Sequence, residues 1–129
     1  MTLSIAIVFL VGVLGAANSS AQAPGFKRVE LQRHDLTTQG REAVLARAEF
    51  QPGGMAPKHT HPGEEVGYVL EGEVVLEIEG KPAMKLKAGD SFVVPAGQVH
   101  SAKNPTKKPS AVLSTYIIEK DKPLATPVK

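Results

Sequence analysis

The stretch GGMAPKHTHPGEEVGYVLEG, residues 53–72, places two histidines one residue apart and follows them, across a Pro-Gly turn, with a pair of glutamates. On a β-strand, side chains two residues apart point to the same face, so His59 and His61 would present both imidazoles to one cavity, about 7 Å apart at the backbone. Gly63 lets the chain turn sharply, which brings Glu65 back beside the pair. The spacing predicts a chelating group; the alternative is two exposed histidines beside a turn.

A fourth candidate ligand lies downstream, in GDSFVVPAGQVH, residues 89–100. Here a predicted strand ends in a Pro-x-Gly turn, and the next strand begins at about His100. Three of the four histidines of the chain therefore fall in these two segments. The other one, His34, is expected to be an ordinary surface histidine.

Short segments that alternate apolar and polar residues, separated by Gly, Pro and Asn clusters, make up most of the chain after residue 23. This period of two is typical of half-buried strands. The predicted strands are 27–32, 44–50, 59–61, 66–70, 74–79, 83–86, 91–94, 99–102 and 111–119. Without any helical periodicity, they predict an all-β barrel or sandwich. The last strand is apolar on both faces, so it is either central in a sheet or covered by another subunit.

The first 23 residues carry no charged side chain, and an apolar run from Leu3 to Leu14 leads into small and polar residues. This pattern is typical of a secretory signal peptide, with cleavage after Ala21 or Ala23. A membrane anchor is the alternative, but about 12 strongly apolar residues fall short of the roughly 20 that a spanning helix needs. We therefore expect Sec-type export to the periplasm or the medium.

The remaining chain is expected to form one domain. The predicted organisation is a cleaved signal peptide over residues 1–23, an N-terminal strand and loop over 24–40, a β-barrel over 41–119 and a flexible tail over 120–129.

Charge and cysteine content exclude several classes of function. With 15 basic and 13 acidic residues the net charge is +2, too small a bias to favour nucleic acid, and the lysine clusters lack interleaved aromatic residues. The absence of cysteine excludes thiolate chemistry and disulfides. Stability must then come from a packed core, alone or with a metal or a partner subunit.

In and around the two histidine-containing segments, residues 53–72 and 89–100, the sequence resembles the cupins, small β-barrels of the jelly-roll type. The first cupin motif is met by Gly53, His59, His61, Glu65 and Gly72, and the second by Gly89, Pro95, Gly97, His100 and Asn104. All ten specified positions match. The chain resembles the small single-domain cupins of type 2, which are quercetin-dioxygenase-like. It is expected to be a secreted bacterial protein.

The resemblance implies one divalent metal ion held by His59, His61, Glu65 and His100, with positions left for water, dioxygen or substrate. Three imidazoles and one carboxylate suit iron, manganese, nickel, copper or zinc, and the ligand type alone does not choose among them. Asn104 is expected to fix a loop.

Other residues are predicted to surround the metal. Phe50, Met55 and Phe92 are candidate apolar lining of a substrate site, and Gln98 and Tyr116 are candidate polar contributors. Each of these five residues is alternatively a packing residue. No catalytic triad and no lysine placed to form a Schiff base is evident, so any reaction is expected to centre on the metal.

Three functions remain open. The first is a metal-dependent enzyme with dioxygenase-like chemistry on a small oxygen-bearing substrate. The second is a non-redox isomerase, epimerase or lyase acting on a sugar or sugar acid, and the third is a non-catalytic protein that binds metal or a small ligand. Family habit and the doubly apolar last strand also predict a homodimer.

Overall fold

A computed structural model describes residues 23–129. This part of the chain forms ten strands and no helix: β1 (Phe26–Asp35), β2 (Arg41–Phe50), β3 (Met55–Thr60), β4 (Gly63–Glu71), β5 (Glu73–Ile78), β6 (Met84–Lys87), β7 (Ser91–Val94), β8 (His100–Lys103), β9 (Ser110–Glu119) and β10 (Thr126–Pro127). Apart from Ala23, the predicted signal peptide lies outside the described residues. Across residues 23–129, no helix is long and apolar enough to span a membrane.

The strands form two five-stranded antiparallel sheets, in the orders β1-β2-β9-β4-β7 and β10-β3-β8-β5-β6. Their inner faces share one core: Phe50 and Val112 of the first sheet pack in the same cluster as Ala56 and Val74 of the second. The all-β prediction is confirmed, and the two facing sheets have the form of a jelly roll.

Alternation along β2 and β9 follows the predicted pattern. In β2, Val44, Ala46 and Phe50 are buried while their neighbours are only half-buried. β9 lies between β2 and β4, so both of its edges are paired. The predicted central position of this strand is confirmed, and cover by another subunit stays a prediction.

The structure differs most from the predicted strands in two places: β3 covers Met55–Thr60 where 59–61 was predicted, and a further strand follows β9. β10 was not predicted, because two residues carry no detectable periodicity. After β9 the chain turns at Asp121, whose φ is 64°, and Thr126 then pairs with Thr60 of β3. The flexibility of residues 120–129 stays a prediction, and the structure shows this segment returning to the edge of the second sheet.

Asn104 fixes the loop between β8 and β9, as predicted. Its side chain is 1% exposed, its Nδ2 donates a hydrogen bond of 2.6 Å to the carbonyl of Lys108, and its Oδ1 accepts one of 2.9 Å from the backbone N–H of Thr106. This loop lies beside Gly72, where φ is 68° and a Cβ would lie 2.6 Å from the carbonyl oxygen of Pro109. Only glycine fits that position.

Candidate metal centre

Three imidazoles meet inside the barrel at the point where β3, β4 and β8 approach each other. His59 pairs directly with His100 across β3 and β8, and their ring centroids are 4.2 Å apart. His61, one residue beyond β3, lies 4.8 Å from the ring of His59 and 4.9 Å from that of His100. All three side chains are buried, and their candidate ligand atoms lie within 4.8 Å of one another.

Each imidazole is held through its Nδ1 atom by a backbone carbonyl. The acceptors are the carbonyl oxygens of Pro57, Leu124 and Gln98, at 2.6, 2.5 and 2.9 Å from Nδ1 of His59, His61 and His100 respectively. A carbonyl oxygen only accepts, so in these contacts Nδ1 carries the hydrogen. When a ring is neutral, its Nε2 atom is then left with a lone pair that faces the interior.

Glu65 completes the cluster from β4. Its Oε2 lies 3.1 Å from Nε2 of His61 and 3.2 Å from Nε2 of His100. No hydrogen lies between these atoms when each Nδ1 is protonated, and the three Nε2 atoms have no hydrogen-bond partner among the described residues. Buried lone pairs that face one another in this way are stabilised by a cation. The donor set therefore fits a divalent metal ion.

The other carboxylate oxygen of Glu65 is held by hydroxyl groups of β9. The hydroxyl of Ser114 donates a hydrogen bond of 2.7 Å to Oε1, and the phenol of Tyr116 donates one of 3.2 Å to the same atom. Arg28 of β1 in turn donates from Nε to the Tyr116 oxygen, at 3.3 Å. Glu65 is thus oriented by a neighbouring strand, as the carboxylate ligands of metal sites commonly are.

Burial and close contacts shift the pKa values of this cluster. Burial would raise the pKa of the Glu65 carboxyl, but hydrogen bonds from His100 and His61, formed when their Nε2 atoms carry a hydrogen, and from Ser114 outweigh burial and hold this pKa well below its usual range. Burial lowers the pKa of His59 to about 4, so this ring is neutral at pH 7. Burial and the Glu65 charge raise the pKa of the Tyr116 phenol, which keeps it a hydrogen-bond donor.

A small cavity of about 30 Å³ opens beside the imidazoles. Of the five predicted substrate residues, Phe50, Phe92 and Tyr116 line it. Phe92 enters the cavity because Gly67 lies beneath its ring, where a Cβ would be only 2.1 Å from the ring. The outward position of His34, which is exposed on β1, agrees with the prediction of a surface residue.

Met55 and Gln98 do not reach the cavity. Counting in twos from His59 places Met55 on the inner face, but the register shifts between Ala56 and His59, so Ala56 is buried and the Met55 side chain is 45% exposed. Gln98 lies exposed in the turn before β8, and only its backbone carbonyl faces the site.

Sequence reasoning missed two polar side chains that act on Glu65 or the cavity, Ser114 and Arg28. Ser114 is two residues before Tyr116 on β9, so strand parity alone would have placed it inward. Arg28 had no such signal, because nothing in the sequence shows that β1 lies beside the cavity.

Comparisons with known proteins agree with this geometry. Residues 46–116 match the cupin domain family. "Germin-like protein subfamily 2 member 2" of Arabidopsis thaliana is 47% identical over 77 residues, which cover 56% of this chain and 35% of that protein. This chain thus spans about a third of the length of the curated plant relatives it matches.

Two solved structures share the fold. Oxalate oxidase in complex with the substrate analogue glycolate has a TM-score of 0.67 and 28% identity, covering 93% of this chain and 63% of that one. DMSP lyase DddQ from Ruegeria pomeroyi DSS-3 has a TM-score of 0.59 and 26% identity, covering 67% of this chain and 43% of that one.

Proposed function

Because this chain belongs to the cupin family, we propose that it is a metal-dependent enzyme with dioxygenase-like chemistry on a small oxygen-bearing substrate. His59, His61, Glu65 and His100 hold one divalent ion in this proposal. The observation that carries it is the set of three buried Nε2 atoms, unpartnered among the described residues, beside an ionised carboxylate. The ligand set suits iron, manganese, nickel, copper or zinc.

A bound ion would supply a Lewis acid for a substrate oxygen or a site for activating dioxygen. The residues of the chain hold and shield the reacting groups. Ser114 and Tyr116 fix the Glu65 carboxylate, while Phe50 and Phe92 provide apolar walls that limit the access of water. In such a dry cavity each charge acts more strongly on the substrate than it would in water.

Arg28 supports a substrate that carries negative charge. Among the described residues that line the cavity, it is the one whose side chain is permanently cationic. Its guanidinium carbon lies 5.3 Å from the ring centroid of Phe26 and 5.7 Å from that of Tyr116, so two aromatic rings hold it at the wall. The likeness to an oxalate oxidase bound to glycolate, a small hydroxy acid, points to the same chemical class.

A non-redox lyase or isomerase is the second candidate, and the likeness to a DMSP lyase favours it. The same ligand set can polarise a substrate oxygen without any change of oxidation state. Such an enzyme would keep its activity with zinc and in the absence of oxygen, whereas a dioxygenase would lose it. The third candidate, a non-catalytic binder, would bind a ligand tightly and turn nothing over.

Elemental analysis of the purified protein tests the metal site. We expect close to one divalent ion per chain in the wild type and in His34→Ala, the matched control at an exposed histidine. His59→Ala and Glu65→Ala should lose the ion while keeping a β-type circular dichroism spectrum. Retention of the ion by both site variants would refute the ligand assignment.

Oxygen uptake then tests the reaction. The metal-loaded protein is mixed with small hydroxy acids, enediols and aromatic substrates in an oxygen electrode. Uptake that depends on substrate and is lost in His59→Ala supports dioxygenase-like chemistry. Turnover without oxygen consumption would move the function to the lyase or isomerase class.

Export and self-association complete the proposal. The uncharged apolar segment at residues 1–23 supports secretion through a cleaved signal peptide, to the periplasm if the source is bacterial. Mass spectrometry of the exported protein would locate the new N-terminus at Gln22 or Pro24. The homodimer stays a prediction, and light scattering that shows a monomer at micromolar concentration would exclude it.

A further inference from the structure

The three imidazoles do not obtain their Nδ1 partners in the same way. His59 and His100 each donate to the carbonyl of the residue two positions earlier, so their partners belong to the same local segment. His61 donates instead to the carbonyl of Leu124, which is 63 residues away, at 2.5 Å. One candidate ligand therefore depends on a distant part of the chain for its orientation.

Beyond Lys120, whose backbone N–H donates to Gly40 and whose Nζ donates to Asp35, the segment 120–129 that supplies this carbonyl is attached to the barrel by few contacts. Thr126 and Pro127 form a two-residue strand against β3, and the backbone N–H of Val128 donates to the carbonyl of Lys58 at 3.0 Å. Leu124 is half-buried against a cluster that contains Tyr116 and Ile118. The other residues beyond Lys120 are mostly exposed. A segment with so little buried surface can detach without unfolding the barrel.

Detachment would change the tautomer of His61. With the Leu124 carbonyl in place, Nδ1 carries the hydrogen and Nε2 offers a lone pair to the site. Without it, the preferred acceptor near this ring is Oε2 of Glu65, which lies 3.1 Å from Nε2. The hydrogen then moves to Nε2 of His61, which donates it to the Glu65 carboxylate. This single contact occupies the ligand atoms of both His61 and Glu65, so neither is available to a metal ion.

We infer that the C-terminal segment 120–129 is a positioning element of the metal centre, which holds His61 in its ligand tautomer through the Leu124 carbonyl and so couples its own docking to metal binding. This inference rests on the proposed metal site. The coupling is reciprocal: if docking strengthens metal binding by some factor, metal strengthens docking by the same factor. The segment is thereby part of the site although none of its side chains is a ligand.

Zinc affinity of truncated chains tests the coupling. One variant ends at Lys122 and lacks the Leu124 carbonyl. The control ends at Pro127, which keeps Leu124 and β10 but loses the Val128 hydrogen bond. By competition with a chelator, we expect the dissociation constant for Zn²⁺ to rise about 10- to 100-fold in the first variant, the range seen for groups that orient metal ligands. The control should stay within about threefold of the wild type, less than the tenfold lower limit of that range. Equal affinity in all three proteins would overturn the inference.

Two further measurements distinguish positioning from a general loss of stability. Long-range ¹H–¹⁵N correlation spectra of the metal-free protein report which ring nitrogen of His61 carries the hydrogen. We expect Nδ1 in the wild type and Nε2 in the truncated chain, with His59 and His100 unchanged. Carboxypeptidase should remove the tail of the wild type more slowly when Zn²⁺ is bound. An unchanged His61 tautomer, or equal digestion with and without zinc, would overturn the inference.

The full-length variant Leu124→Ala covers the case in which truncation prevents folding. It keeps the carbonyl and removes the apolar anchor, so we expect faster digestion of the tail together with weaker zinc binding. Faster digestion with unchanged affinity would refute the coupling. Failure of the proposed function has a different signature: the wild type itself binds no zinc, and His59→Ala is indistinguishable from it.

Discussion

The hydroxyl of Ser114 donates its hydrogen to Oε1 of Glu65, so the other carboxylate oxygen is the one that faces the imidazoles of His61 and His100. The side chains of Ser114 and Glu65 are both buried. The orientation of the carboxylate is therefore set by β9, a strand that carries none of the candidate ligands.

Ser114→Ala should weaken metal binding. Without the hydroxyl, Oε1 loses its shortest hydrogen bond and the carboxylate is free to rotate, so we expect about a 10-fold loss of Zn²⁺ affinity. The unfolding free energy should fall by about 1–3 kcal/mol, because a buried acceptor is left with one weaker partner. Thr115→Ala, on the outer face of the same strand, is the control. Unchanged affinity in Ser114→Ala would show that Tyr116 alone orients Glu65.

Acid should destabilise the metal-free protein between about pH 6.5 and pH 4. The pKa of His59 is about 4 in the folded protein and near 6.5 when unfolded. The unfolded chain binds a proton first as pH falls, so stability is lost on acidification through this window and is constant above it. The contribution of His59 is at most about 3 kcal/mol. Glu65 acts in the same direction at lower pH, since its folded pKa is lowered.

Urea unfolding at several pH values measures this slope. In His59→Gln the slope between pH 6.5 and pH 4 should become shallower than in the wild type, while His34→Gln should leave it unchanged. An equal slope in wild type and His59→Gln would show that His59 is not buried as a neutral ring.

Gly67→Ala should disturb the cavity through Phe92. A Cβ at residue 67 would lie 2.1 Å from the Phe92 ring, so the ring must move. We expect a destabilisation of about 1–3 kcal/mol. The double variant Gly67→Ala/Phe92→Ala should cost less than the sum of the single changes, because the clash is then removed. Strict additivity in urea unfolding would contradict this packing relationship.

Arg28→Gln should weaken the binding of small anions. The change removes a positive charge from the cavity wall but keeps a polar side chain. Calorimetry of the zinc-loaded protein with glycolate should show that the dissociation constant rises about 10-fold. This loss of affinity is in the range expected for a charged hydrogen bond. Arg47→Gln, at the half-exposed Arg47 on the outer face of β2, is the control. Equal glycolate binding in Arg28→Gln and wild type would remove Arg28 from substrate recognition.

The residues that strand alternation governs were predictable. His59, His61 and Glu65 converge as their spacing predicts, and strand parity also explains Tyr116. The sharp turn predicted at Gly63 is not the cause, because Gly63 lies in β4, where a Cβ would be 1.9 Å from the carbonyl oxygen of Ile117. Strand parity fails at Met55, where the register shift before His59 reverses the alternation. Sequence periodicity does not reveal such a shift.

The long-range neighbours of the site were not predictable. Arg28 reaches Tyr116 across 88 residues, and Leu124 reaches His61 across 63. Both contacts depend on which strands are adjacent in the sheets, which is a property of the whole fold. The atom of Leu124 that contacts His61 is, moreover, a backbone carbonyl oxygen, which every residue has.

These separations also bear on how quickly the protein assembles. β9 pairs with β2 and with β4, strands that precede it by about 40 residues or more, so much of the first sheet must wait until nearly the whole chain is available. Chains dominated by such distant pairings fold in milliseconds to seconds rather than microseconds. The carboxylate and its hydroxyl partners meet only at the end of that process, whereas the His-x-His pair is adjacent from the start. An ion captured early by the two histidines would therefore meet Glu65, four residues beyond His61, before the hydroxyls of Ser114 and Tyr116 fix that carboxylate.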